Sequence, residues 1–92
     1  MATSDTELSL LPNIGKNLAE KLKEAGIDSP QKLKSIGSEN AFARIKVIDS
    51  GACINMLLAL EGAIQGIRWH NLDTNRKKEL QDFYSLTQKI KT

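Results

Sequence analysis

Apolar residues recur along the chain at helical spacing, and the breaks between them divide it into five or six short helices. S-D-T-E at Ser4–Glu7 has the form of a capping box, so a first short helix should carry Leu8, Leu10 and Leu11 inward until Pro12 stops it. Leu11-Pro12-Asn13-Ile14-Gly15 then predicts a tight turn: proline fixes one dihedral, Asn13 tolerates a left-handed backbone and Gly15 permits a sharp entry into the next helix. Over residues 16–25 the pattern sets Leu18, Ala19, Leu22 and Ala25 inward and Lys16, Glu20, Lys21, Lys23 and Glu24 outward. Gly26 is placed to end that helix, and Ile27 to fold back onto it.

Ser29-Pro30 supplies a cap and a first-turn proline for a third helix, with Leu33 and Ile36 inward and Gly37 at its end. A fourth helix is expected from about Glu39 to Ile48, burying Ala41, Phe42, Ile45 and Ile48, with Asp49-Ser50-Gly51 breaking it. Gly51 to Trp69 holds the densest apolar run and reads as one continuous central helix. Asn71–Asp73 form a turn, Asp73 caps, and Leu80, Phe83, Tyr84, Thr87 and Ile90 line one side of a terminal helix.

The central run is too broken for a membrane span, which needs about 20 mostly apolar residues, because Asn55, Glu61 and Gln65 interrupt it. Ile54, Leu57 and Leu58 share a side with Glu61, Gln65 and Arg68, so the first half should be enclosed and the second half should show that face to water. Asn55, Ala59, Gly62 and Gly66 form a stripe of small or short residues, suited to close packing of a helix within the chain or to a homodimer seam. Cys53 and His70 would lie about 25 Å apart along an unbroken helix at 1.5 Å per residue, too far to act as nucleophile and base. Cys53 is therefore read as a small core residue, and Trp69 as an anchor with its ring in the core. His70 has no second histidine or cysteine at ligand spacing, so no metal or other cofactor is expected. No paired carboxylates and no nucleophile-elbow or phosphate-loop motif assign an enzyme, and no small-molecule substrate is evident.

Composition narrows this further. Ninety-two residues suit a single domain spanning 1–92, with its core over about 8–90. With 4% aromatic residues and an apolar content dominated by Leu, Ile and Ala, the fold class expected is all-α. One cysteine forms no internal disulfide and no leader pattern is present, so a cytoplasmic location is expected. A net charge of +2 does not announce nucleic-acid binding, so any DNA contact has to be local.

The turn at Leu11–Gly15 offers such a place. In a helix-hairpin-helix unit the free N–H groups opening the second helix, together with its dipole, can hold a phosphate. Asn13, Ile14, Gly15, Lys16 and Asn17 would line that mouth, with Lys21 and Lys23 farther along. Contacts of this kind are independent of base sequence and sensitive to salt. From Asn13 to Lys34 five lysines face three acids, Glu20, Glu24 and Asp28, a bias of two charges. The alternative is a protein-interaction or homodimerisation module that never touches nucleic acid.

L-P-N-I-G-K-N-L-A-E-K-L-K-E-A-G-I, then A-F-A-R-I at Ala41–Ile45, then C-I-N-M-L-L-A-L-E-G-A-I-Q-G-I-R-W-H-N-L at Cys53–Leu72 resembles the C-terminal domain of the TfoX/Sxy family over roughly Leu10 to Tyr84. The resemblance implies a compact helical domain related to helix-hairpin-helix and SAM-like folds around one central helix. It also implies a bacterial protein associated with regulation of competence for DNA uptake, with DNA or a transcription-regulatory protein as partner. It brings no catalytic residues to carry over. TfoX-type regulators carry an N-terminal domain ahead of this one, and the chain reads as the C-terminal domain standing alone. Pro12 to Lys16 is also similar to a turn in the C-terminal domain of the α chain of RNA polymerase, which binds DNA and transcription factors; that likeness bears on those positions alone.

Overall fold

The computed structural model describes residues 8–90, and every regular element among them is helical. The order is α1 (Lys16–Glu24), α2 (Pro30–Ile36), α3 (Ser38–Ile48), α4 (Ile54–Gln65), a short 3₁₀ turn (Trp69–Asn71) and α5 (Thr74–Ile90). The all-α expectation holds. The capping box at Ser4–Glu7 and the side chain of Ile90 lie outside the described residues.

Local chemistry sets most of the boundaries. At the end of α1 the N–H of Ile27 donates to the Leu22 carbonyl at 2.8 Å and that of Gly26 to Lys23 at 3.0 Å. Gly26 is left-handed at φ 86°, and Ile27 and Leu22 are both fully buried. This is a Schellman closure with its accompanying apolar contact. Ser29 Oγ accepts from the Lys32 N–H at 3.2 Å and Pro30 opens α2, as expected of a capped start. Gly37 joins α2 to α3 at φ 87°, ψ 161°, a region that only glycine occupies readily. Asp73 Oδ2 accepts from the N–H groups of Asn75 and Arg76 and so caps α5.

The core gathers Leu8, Leu22, Ile27, Leu33, Phe42, Ile45, Leu57, Leu60 and Leu80, all fully buried. Helix α4 packs against α2, α3, α5 and the 3₁₀ turn, which makes it the central helix, while α1 lies on α3. The edge-to-face contact of Phe42 with Tyr84, at 5.9 Å, ties α3 to α5. The radius of gyration, 12.4 Å, agrees with the ~12 Å expected of a compact chain of this length.

Five expectations are corrected. Leu10 is 79% exposed: it stands two residues beyond the buried Leu8, about 200° around a helical turn, and so on the opposite side. Ile48 is 46% exposed because α3 ends at that residue, and Ala52 closes the core nearby. The central helix starts at Ile54 and stops at Gln65, where Gly66 turns left-handed at φ 78°; it does not continue to Trp69. Cys53 is exposed, because it occupies the extended position just before α4 and not its interior. Glu61 is 8% exposed, so that face of α4 stays covered as far as Glu61 and meets water only from Gln65 onward.

Candidate nucleic-acid interface

The Leu11–Gly15 turn is built by one side chain. Asn13 takes the left-handed backbone at φ 69°, and its carboxamide reaches across to the segment that follows α4. Its Nδ2 donates to the Ile67 carbonyl at 2.9 Å, and its Oδ1 accepts from the Trp69 N–H at 3.1 Å. A carboxamide carries one donor face and one acceptor, so this pair uses both ends in a fixed orientation. Gly62 makes room for it. A Cβ at that position would come within 2.5 Å of Asn13 Nδ2, 2.8 Å of the Ile67 oxygen and 3.2 Å of Trp69 Cα.

The segment is delivered there by the end of α4. Ile67 N–H donates to the Gly62 carbonyl at 2.9 Å and Gly66 N–H to Ala63 at 3.2 Å, the same closure that ends α1. Of the four stripe residues, Gly62 is the point of close approach, and the visitors are Asn13 and Trp69. Asn55 is exposed, Ala59 is half-buried and Gly66 is exposed beyond the helix end. The Trp69 ring is partly buried against the core and stacks on His70 at 4.1 Å. Lys77 Nζ donates to the His70 carbonyl at 3.2 Å.

On the outer side of the turn, Gly15, Lys16 and Asn17 are exposed, whereas Ile14 is buried and packs the turn onto the core. Gly15 has an extended backbone, φ −91° and ψ −174°, and nothing lies within 4 Å of where its Cβ would stand. The conformation would suit any residue; the open space is the feature. The first intrahelical bond runs from the Ala19 N–H to the Gly15 carbonyl. The N–H groups of Lys16, Asn17 and Leu18 therefore have no partner within α1. No side chain caps this end and its first turn contains no acid, so the positive end of the dipole is not neutralised by its own helix.

The lysines farther along separate. Lys21 pairs with Asp49 at 2.9 Å; the hydrogen bond and charge of Asp49 raise its pKa, and the same bond, helped by the Gly51 N–H, lowers that of Asp49. Lys23 is exposed on α1. Arg68 is not among the residues that the sequence places at this turn. It is exposed and lies between Ile67 and Trp69, the two residues that the Asn13 side chain grips. The helix end just before it was legible, since Gly66-Ile67 repeats the Gly26-Ile27 ending, but its approach to the turn rests on the long-range Asn13 contact.

A second polar group sits where α3, α4 and α5 meet. Glu61 accepts from Ser38 Oγ at 2.6 Å, Gln65 Nε2 at 2.6 Å and an Arg76 guanidinium nitrogen at 3.1 Å. Arg76 also reaches Glu79 at 2.9 Å and Glu39 at 3.6 Å. Burial pushes the Glu61 pKa up, but the bonds from Arg76, Ser38 and Gln65 outweigh it and hold the carboxyl below its ordinary value. Arg76 is raised, chiefly by its bond to Glu61, and stays charged. The group's donors and acceptors are turned toward one another, a joint between helices. Among the described residues no three His, Cys, Asp or Glu side chains are grouped to hold a metal, and no helix is long and apolar enough to cross a membrane.

Two solved structures share this fold over most of the chain. A crystal structure of an uncharacterised protein from Listeria monocytogenes in a triclinic form is 50% identical, with a TM-score of 0.88 over 95% of this chain and 94% of that one. A protein of unknown function from Listeria monocytogenes in a tetragonal form is 55% identical, with a TM-score of 0.82 over 84% of this chain and 95% of that one. No curated protein matches the chain. The family model of the TfoX C-terminal domain matches residues 4–84, and with nearly the whole sequence inside that match the chain belongs to the TfoX C-terminal domain family.

Proposed function

We propose that this domain is a non-catalytic regulatory module that holds the DNA backbone, weakly and without base preference, at the start of α1. One observation carries the reading. The N-terminus of α1 is exposed, has neither a side-chain cap nor an acid in its first turn, and bears Lys16 beside open space at Gly15. Unpaired N–H groups at the positive end of a helix suit a phosphate oxygen, and a nearby lysine adds charge. Asn13 and Ile14 support the turn from beneath, and Lys21, held by Asp49, is left out of the contact set. Family membership is in keeping with a regulatory setting in which DNA is at hand.

Gly15→Glu is the informative variant, because its backbone angles and surroundings accept a side chain while the carboxylate would occupy the mouth. With labelled duplex DNA at low salt, the wild type should bind and Gly15→Glu should not. Binding by neither, or equal binding by both, removes the reading.

A protein-docking role is the competing proposal, favoured by Val47, 85% exposed, and Ile48, 46% exposed, side by side at the end of α3. If that surface joins two copies, sedimentation should show mass rising with concentration, and Val47→Glu should abolish the rise. A constant monomer mass disposes of the dimer form.

A further inference from the structure

We infer that Arg68 is a second DNA-backbone contact, carried on a separate chain segment and held beside the Asn13 turn by the Asn13 carboxamide. The inference rests on the phosphate reading of that turn and adds to it a residue from a distant part of the sequence. Arg68 is exposed, and no carboxylate of the described residues forms an ion pair with it, whereas Lys21, Lys32 and Arg76 are all paired. Its two neighbours are fixed by the same side chain, through the Ile67 carbonyl at 2.9 Å and the Trp69 N–H at 3.1 Å. Its own backbone, φ −71° and ψ 143°, is extended between the closure of α4 and the 3₁₀ turn.

That placement differs from an ordinary surface arginine. The Gly66 closure and the Asn13 grip hold its backbone on both sides, so less ordering is required when the guanidinium meets a ligand. Lys77, which bonds the His70 carbonyl, ties down the segment just beyond it. A planar guanidinium matches phosphate oxygens with two parallel N–H donors. Lys16 and Arg68 are both exposed, on the two segments that Asn13 joins, and two cations carried this way would suit a polyanion more than a single small anion.

The test compares wild type, Arg68→Ala, Gly15→Glu and Lys89→Ala for binding to one labelled duplex between 50 and 200 mM salt. Lys89 lies twelve residues beyond Lys77 on α5, roughly 18 Å along the helix at 1.5 Å per residue. Removing one phosphate contact should lower the log–log salt slope by about 0.9, so Arg68→Ala should lose ~3.5-fold less affinity over that range than wild type. It should also bind more weakly at 50 mM, while Lys89→Ala keeps the wild-type slope. Arg68→Ala with an unchanged slope and affinity overturns the inference and leaves the turn reading standing if Gly15→Glu is defective. No binding by the wild type overturns both. Asn13→Ala combined with Arg68→Ala supplies the second check: the two losses should be less than multiplicative if Asn13 acts through Arg68, and full multiplicativity contradicts that route.

Discussion

Asn13 and Gly62 act as a matched pair of residues. The carboxamide of Asn13 fits only because position 62 lacks a Cβ, and the same contact fixes the backbone on either side of Arg68. Gly62→Ala gains roughly 1 kcal/mol in helix propensity. The methyl would nonetheless meet the Ile67 backbone oxygen at 2.8 Å, and that oxygen belongs to a closed helix end that has little room to yield. Overpacking of this kind costs about 1–3 kcal/mol, so the variant should unfold at lower urea concentration than wild type; a gain in stability would show that the segment moves freely. Gly15 and Gly66 give the opposite pair of outcomes. Gly66→Ala forces a left-handed alanine and should lose about 1 kcal/mol, because φ is 78° there. Gly15→Ala should cost nothing comparable, because φ is −91° and the space is open. Parallel denaturation curves decide both.

Glu61 belongs to the same scale. Its folded pKa lies below the ordinary carboxylate value, so the folded state binds fewer protons than the unfolded state as the pH crosses the carboxylate range. The stabilisation is therefore whole at neutral pH, begins to fall as the pH drops into the ordinary carboxylate range, and is gone below the lowered pKa. Glu61→Gln keeps an acceptor for Ser38 but loses the charge facing Arg76. It should be less stable at pH 7 by about 1–3 kcal/mol and converge on wild type in strong acid. Stability curves that stay parallel down to acid pH would contradict this network.

At the scale of elements, the helix boundaries follow from short local signals, and these were the most legible part of the chain. Ser29-Pro30, Gly26-Ile27 and Asp73 act as their chemistry requires. The stop of α4 at Gln65, short of Trp69, has a physical cause. Ile67 and Trp69 continue the apolar run, and apolar continuity looked like helical continuity, although Gly66-Ile67 carries the same closure as Gly26-Ile27. The burial of Glu61 likewise lies beyond the local pattern. Periodicity puts it on the same side as Leu57 and Leu58, but whether a carboxylate can be buried depends on Ser38, Gln65 and Arg76, and two of those come from other helices. Cys53 fell on the wrong side of a helix start by one residue. Phe42 shows the reliable case: a large apolar residue in the middle of α3 is fully buried and meets Tyr84. Phe42→Ala should cost about 3–5 kcal/mol, with the loss read in thermal or urea unfolding.

Across the whole molecule, α4 acts as scaffold and the chemistry of interest lies at the edge that it organises. The turn before α1 and the segment after α4 are 54 residues apart in sequence at the Asn13–Ile67 bond, so no local pattern could bring Arg68 to the turn that precedes Lys16. The unpaired start of α1, the exposed cations on both segments and the left-handed Asn13 that joins them make this edge the proposed DNA-facing surface. Val47 and Ile48 mark the competing apolar surface at the end of α3. Amide chemical shifts of the labelled protein, followed as duplex DNA is added at low salt, distinguish the two most directly. DNA held at the start of α1 predicts the largest changes at the N–H groups of Lys16, Asn17 and Leu18 and at Arg68, reversed by salt. Changes centred on Val47 and Ile48, or none at the start of α1, would contradict it.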